Sequence, residues 1–191
     1  MQLTSGLWSP MRGLARNRDQ YYALLHNADL PRRNDLDGRG RLSQDLVGPF
    51  HRNPGDPAGP GGWWILLEPE LHLGEDVLVP DWAGWRRDRM PVFPDTPAFS
   101  QAPDWVCEVI SPSTGRIDRS GKMRIYAREG VSHLWLVEPR LETLEVYRLE
   151  GGRWIVVGTH AGDDAVRAEP FDAVELQLGR WWMPRSPAAQ A

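Results

Sequence analysis

Two short apolar runs constrain the fold of this chain more than any other feature of its sequence. Trp63–Leu67 is apolar throughout, and Trp105–Ile110 is apolar except for Glu108. Both runs are shorter than a typical helix and are bounded by Gly, Pro or polar residues, so each predicts a buried strand. An unpaired carboxylate is costly to bury. Glu108 is therefore a candidate functional residue as well as part of a strand.

Other segments predict the elements that surround these two strands. Asp118–Glu129 predicts a helix, with Asp118 as its N-cap and Gly130 at its C-terminal cap. The further predicted strands are Val77–Trp85, His133–Val137, and a hairpin of Leu144–Leu149 and Trp154–Thr159 turned at Gly151-Gly152, with an alternating pattern again at Val174–Leu178. Strands and helices mixed in this way predict an α/β or α+β domain.

The chain divides into four predicted segments. Residues 1–47 are weakly patterned and carry two short predicted helices, Asp19–Leu30 and Leu42–Phe50. Residues 48–62 form a loop, since nine of these fifteen residues are Gly or Pro. The domain proper is predicted at 63–183, and 184–191 as a flexible tail.

Composition limits the function classes. The net charge of −4 gives no overall field that attracts nucleic acid. The single cysteine, Cys107, rules out an internal disulfide and a cysteine-based zinc site. No apolar run reaches membrane-spanning length and no signal-peptide pattern is present, so we expect no membrane association and a cytoplasmic location.

The acidic residues in the apolar strands suggest metal chemistry. Asp81 follows Pro80 in one predicted strand and Glu108 lies inside another. If the two strands are neighbours, both carboxylates can share one Mg²⁺, with the backbone carbonyl of Val109 as a third protein ligand. Such an ion activates water for attack on a phosphodiester, and a nearby lysine, Lys122, can orient that water or offset developing charge.

The order of these motifs resembles the Uma-type restriction-endonuclease family of the PD-(D/E)XK nuclease superfamily. The matching segments, over about residues 60–180, are Pro80-Asp81, Glu108–Thr114, Asp118 and Lys122, Tyr126–Val131, Leu134–Val137 and Glu145–Leu149. In the wider superfamily the lysine stands two residues after the acid, where this chain has Ile110. The resemblance places the lysine role on the following helix, at Lys122.

This resemblance implies a restriction-endonuclease-like central mixed β-sheet flanked by helices. It also implies a Mg²⁺-dependent endonuclease, with Mn²⁺ as a possible substitute, that acts on DNA as a homodimer. Its catalytic residues would be Asp81, Glu108 and Lys122, and its metal ligands Asp81, Glu108 and Val109. The sequence departs from the family at its start, where Asn34 stands in place of the Glu of a Glu-x-x-Asp-Gly phrase.

Several alternatives stay open at this stage. Asp81 can cap a turn, Lys122 can form a surface pair with Asp118 one helical turn away, and Asp118 is more simply a cap than a ligand. Glu68 and Glu70 can join the site or lie on a solvated strand face. A catalytically impaired nuclease-fold protein that binds or dimerises is the main alternative function, and a hydrolase of another phosphate ester is a third. No Gly-x-Ser-x-Gly elbow supports a serine hydrolase.

Overall fold

A computed structural model describes residues 39–57, 59–110 and 121–182. The helices are α1 (Arg39–Phe50) and α2 (Met123–Arg128), and a 3-10 turn covers Leu178–Arg180. The strands are β1 (Trp63–Leu67), β2 (Glu70–Leu73), β3 (Asp76–Leu78), β4 (Trp82–Arg86), β5 (Ala98–Phe99), β6 (Trp105–Val109), β7 (His133–Glu138), β8 (Thr143–Glu150), β9 (Arg153–Ala161), β10 (Ala165–Val166) and β11 (Leu176–Gln177).

A six-stranded mixed sheet forms the centre of the domain. Its strand order is β1-β4-β6-β7-β8-β9, and every neighbouring pair is antiparallel except β6 with β7. Parallel strands need a crossover connection, and α2 lies in the segment that joins β6 to β7. Two small sheets accompany it, β3-β2-β5 and β10-β11.

The strands β1, β4, β6 and β7 of the central sheet are mostly buried, and their side chains alternate between two core clusters, whereas β9 at the edge is mostly exposed. In β6, Trp105, Cys107 and Val109 join the cluster that includes Leu46 and Phe50 of α1 together with the C-terminal segment 166–182. The other cluster contains Val106 and Ile110, Tyr126 of α2, and residues from β2 and β5. Because side chains alternate along a strand, Glu108 lies on the same face as Val106 and Ile110.

Most of the predicted elements are present. The structure confirms strands at Trp63–Leu67 and over most of Trp105–Ile110, the strand that begins at His133, and the 144–159 hairpin. It also confirms a helix over Leu42–Phe50, as part of α1. Gly130 follows α2 with a positive φ of 76°, as its predicted capping position requires.

The prediction of one strand over Val77–Trp85 is wrong. The segment forms two separate strands, β3 and β4, and residues 79–81 between them belong to neither. Pro80 explains the interruption, because proline has no N–H to donate to a strand ladder. β3 pairs with β2 in the small sheet, whereas β4 enters the central sheet.

The core also draws on residues that precede the predicted domain start at 63. Leu46 and Phe50 are 1% and 2% exposed and pack against the central sheet. The predicted helix Asp19–Leu30, the cap at Asp118 and the tail 184–191 lie outside the described residues. Among the described helices, none has the length and hydropathy needed to cross a membrane.

Candidate active site

The pairing of β4 with β6 brings the two predicted acids close together. Trp82 is the register partner of Cys107 in this antiparallel pair, so Asp81, the residue just before β4, comes opposite Glu108 when the register is extended by one residue. Side chains at opposed positions project from the same face of a sheet. Asp81 is close enough to raise the pKa of Glu108 electrostatically. The two carboxylates are therefore neighbours on the face that α2 covers.

Glu108 is a buried carboxylate held by two donors. It is 2% exposed. The Tyr126 hydroxyl donates to its Oε1 over 2.6 Å, and the Lys122 ammonium donates to its Oε2 over 2.9 Å. Lys122 and Tyr126 are four residues apart at the start of α2, so they lie on one side of the helix. Each oxygen of the carboxylate consequently has a donor from the same helix.

Burial raises the pKa of Glu108 from its ordinary 4.5 to about 7. Loss of hydration is the largest cause, because it disfavours the charged carboxylate. Lys122 and Tyr126 oppose this rise, while the negative charge of Asp81 adds to it. An acid with a raised pKa beside a second acid is a frequent feature of functional sites.

Asp81 bridges to β6 through its side chain. Its Oδ2 accepts a 2.6 Å hydrogen bond from the backbone N–H of Val109. In an extended strand the N–H and C=O of one residue point toward the same neighbour. The Val109 carbonyl is therefore directed to the side of β6 on which Asp81 lies.

Three contacts hold α2 over this end of the sheet. Tyr126 is fully buried in the core, and the Trp154 indole donates to the carbonyl of Met123 over 2.8 Å. Arg128 forms a 2.6 Å ion pair with Asp76 of β3. Lys122 precedes the helix with helical backbone angles and is 20% exposed. Its ammonium thus meets both Glu108 and the surrounding solvent.

The donor set fits a hard divalent cation. Mg²⁺ takes oxygen ligands, often from one or two carboxylates, and keeps several of its waters. Asp81 and Glu108 supply two carboxylates, and the backbone of Val109 supplies a carbonyl. Within the described ranges, no group of three or more His, Cys, Asp or Glu side chains is close enough to hold a metal ion. Any bound ion would therefore rely on backbone oxygens and water as well.

The other acids considered from the sequence have different positions. The Glu68 N–H donates to the backbone carbonyl of Asp81 over 2.9 Å, and Glu68 has a positive φ of 47°. The Glu70 carboxylate lies 2.8 Å from His72. Asp118 and the serines and threonine at positions 111–120 lie outside the described residues.

Tyr126 is the residue of this cluster that sequence reasoning missed, since its pattern indicated only a core position. Two signals were available. It stands one helical turn after Lys122, and a buried tyrosine hydroxyl needs a hydrogen-bond partner. Glu108 was a predicted buried acceptor to which no hydrogen-bond donor had been assigned, so it was a candidate partner for the tyrosine hydroxyl.

Comparison with known proteins gives two positive findings. The family model described as Uma2, putative restriction endonuclease, matches residues 39–179. Four chains of solved structures match. One is a putative nuclease from Anabaena variabilis ATCC 29413, with a TM-score of 0.57 and 20% identity over 78% of this chain and 81% of that chain. The likeness confirms the predicted α+β fold with a mixed central sheet. No curated protein matches the sequence significantly.

Proposed function

The chain belongs to the Uma2 family of restriction-endonuclease-type proteins, and from that membership we propose that it is a Mg²⁺-dependent endonuclease that hydrolyses phosphodiester bonds in DNA. The family supports a nuclease in general terms. We propose the metal, the substrate and the catalytic residues in addition to what the family shows.

The observation that carries the proposal is the environment of Glu108. A carboxylate that is 2% exposed and faces the charge of Asp81 is unfavourable unless something further stabilises its ionised form. Lys122 offsets part of this cost, yet the pKa of Glu108 still lies near 7. A divalent cation between the two acids would supply the missing positive charge. Local destabilisation of this kind is common where a protein binds or reacts.

In the proposed mechanism Asp81, Glu108 and the carbonyl of Val109 hold Mg²⁺, or Mn²⁺ in its place. When bound, the cation would polarise the scissile phosphate and lower the pKa of a bound water. The hydrogen bond from Val109 to Asp81 fixes one ligand relative to the other strand. Tyr126 and Lys122 each donate a hydrogen bond to Glu108.

Lys122 has the assisting role. Its ammonium is 2.9 Å from Glu108 and its side chain is 20% exposed, so the charge can reach a phosphate or a water at the edge of the site. A fixed positive charge there would stabilise the extra negative charge of the transition state. It would also keep the attacking water oriented while Glu108 stays ionised.

The proposal includes DNA as the partner and a homodimer as the active form, because two copies of the site could cut the two strands of a duplex in one binding event. With a net charge of −4, the protein as a whole does not attract DNA, so binding would depend on basic groups near the site, such as Lys122. A cytoplasmic location is part of the same proposal.

A second function, a nuclease-fold module without catalysis, is favoured by two observations. In the part of the chain that the structure describes, no three acidic or metal-ligating side chains converge on one point. The loss of the early family Glu, replaced by Asn34, agrees with a reduced site.

Plasmid cleavage separates the two functions. The purified protein is incubated with supercoiled plasmid and Mg²⁺ or Mn²⁺, alongside Asp81→Ala, Glu108→Ala and the surface control Glu150→Gln. The proposal predicts nicking and linearisation by the wild type and the control, and loss of both with either alanine variant. Equal cleavage by all four proteins would indicate a contaminant, and none by any would favour the binding module.

A further inference from the structure

The tyrosine on α2 makes a contact that core packing does not require. Its hydroxyl lies 2.6 Å from Glu108 Oε1, a length typical of a charge-assisted O–H···O⁻ bond. A phenylalanine would fill the same volume without needing a partner. The hydroxyl instead bonds to the buried carboxylate of Glu108.

Tyr126 is held more rigidly than the other donor to Glu108. Its ring is fully buried in the cluster that α2 shares with the sheet, and its backbone carbonyl accepts a 3.0 Å hydrogen bond from Val131 at the start of the next segment. Lys122 reaches the same carboxylate through a flexible stem that is 20% exposed. The Tyr126 hydroxyl therefore has a fixed position relative to Glu108, whereas the Lys122 ammonium can move.

A fixed donor on one oxygen constrains how the carboxylate can turn. A carboxylate whose two oxygens have separate donors cannot rotate about its terminal bond without losing both. Each carboxylate oxygen has two lone pairs, so a hydrogen bond from Tyr126 leaves capacity for a cation. Groups that orient a metal ligand in this way tune its affinity, typically by about 10- to 100-fold.

We infer that Tyr126 is a positioning residue, whose hydroxyl holds the Glu108 carboxylate in the orientation needed to bind a divalent cation. The inference rests on the proposed function, because it assigns a role within the same cation site. It adds a residue that acts through Glu108 and touches neither substrate nor reacting atoms.

Titration calorimetry with MnCl₂ tests the inference without relying on cleavage. The proteins are the full chain, Tyr126→Phe, and Tyr147→Phe as a matched control. The Tyr147 hydroxyl donates to the Glu145 carboxylate over 2.8 Å on β8, a strand that β7 separates from β6. We expect the dissociation constant for Mn²⁺ to rise about tenfold or more in Tyr126→Phe and to stay unchanged in Tyr147→Phe.

Stoichiometry separates positioning from a folding defect. A partly unfolded sample would lower the number of sites and leave the affinity unchanged, whereas lost positioning weakens affinity at full stoichiometry. As a second measurement, the Mn²⁺ concentration for half-maximal cleavage should rise in Tyr126→Phe, while the rate at saturating Mn²⁺ approaches that of the wild type.

The possible results test the role of Tyr126 and the presence of the cation site separately. Equal Mn²⁺ affinity of the wild type and Tyr126→Phe would overturn the inference and leave the proposed function standing. A uniform loss of affinity in both Tyr→Phe variants would also overturn it, as a general effect of removing hydroxyls. Absence of Mn²⁺ binding by the wild type would overturn the proposed function and this inference with it.

Discussion

Replacing Glu108 by glutamine is expected to stabilise the metal-free protein above pH 7, although the change removes an ion pair. Burial is the largest cause that raises the pKa of Glu108 from 4.5 to about 7. Between these values the folded protein binds a proton that the unfolded chain has released. The free energy of unfolding of the wild type therefore falls as the pH rises through this range. The amide of Glu108→Gln cannot ionise, so the variant avoids this loss.

The size of the effect follows from the pKa. A rise from 4.5 to about 7 corresponds to about 3 kcal/mol, at about 1.4 kcal/mol for each pH unit. The pKa of about 7 already includes the lowering effect of Lys122. For a chain of this size about 3 kcal/mol is about 6–12 °C in Tm. The difference should be full above pH 7 and disappear below 4.5, where both side chains are neutral.

The assay is urea denaturation in EDTA at about pH 5 and about pH 8. Glu150→Gln is the control, because the Glu150 side chain is 53% exposed and lies at the end of β8, a strand that β7 separates from β6. Its stability should stay within about 0.5 kcal/mol of the wild type. A Glu108→Gln variant less stable than the wild type at pH 8, or a difference independent of pH, would refute the argument from burial.

Three further predictions follow from the same structure. Lys122→Met should lower the cleavage rate at saturating metal about 100-fold, measured by single-turnover kinetics, and an unchanged rate would remove its assisting role. Gly84→Ala should lower the free energy of unfolding, measured by urea denaturation, by about 1–3 kcal/mol, because a Cβ there would lie 3.1 Å from the Trp105 ring. Gly48→Ala should not lower it, because a Cβ at Gly48 would have no atom within 4 Å. Mg²⁺ at 100 times its Kd should stabilise the wild type by about 2.7 kcal/mol and Glu108→Gln far less. Equal shifts in thermal unfolding would place the ion elsewhere.

The strands were predictable where the local pattern was complete. Trp63–Leu67 and the 144–159 hairpin carry their own signals, a continuous apolar run and a Gly-Gly turn, and both are present. The Val77–Trp85 prediction failed because apolar residues continue across Pro80 although the strand ladder does not. A hydrophobic pattern reports burial, and it cannot show that two halves of one run join different sheets.

The candidate site was predictable in its acids but not in its full set of contacts. Glu108 stood out because a single carboxylate interrupts an apolar run, which is a purely local signal. Tyr126 did not, because its partner is 18 residues away and the contact exists only once the crossover from β6 to β7 has placed α2 on the sheet. Likewise, the nearness of Asp81 depends on the β4–β6 register, which no short sequence window specifies.

The most direct test of the cation site is a crystal structure with Mn²⁺, read by anomalous scattering. We expect one strong peak bonded to carboxylate oxygens of both Asp81 and Glu108 and to the carbonyl of Val109, with water completing about six ligands. The peak should be absent from Glu108→Gln crystals grown in the same way. A wild-type map with no peak between the two acids, or with the ion bound at other residues, would contradict it.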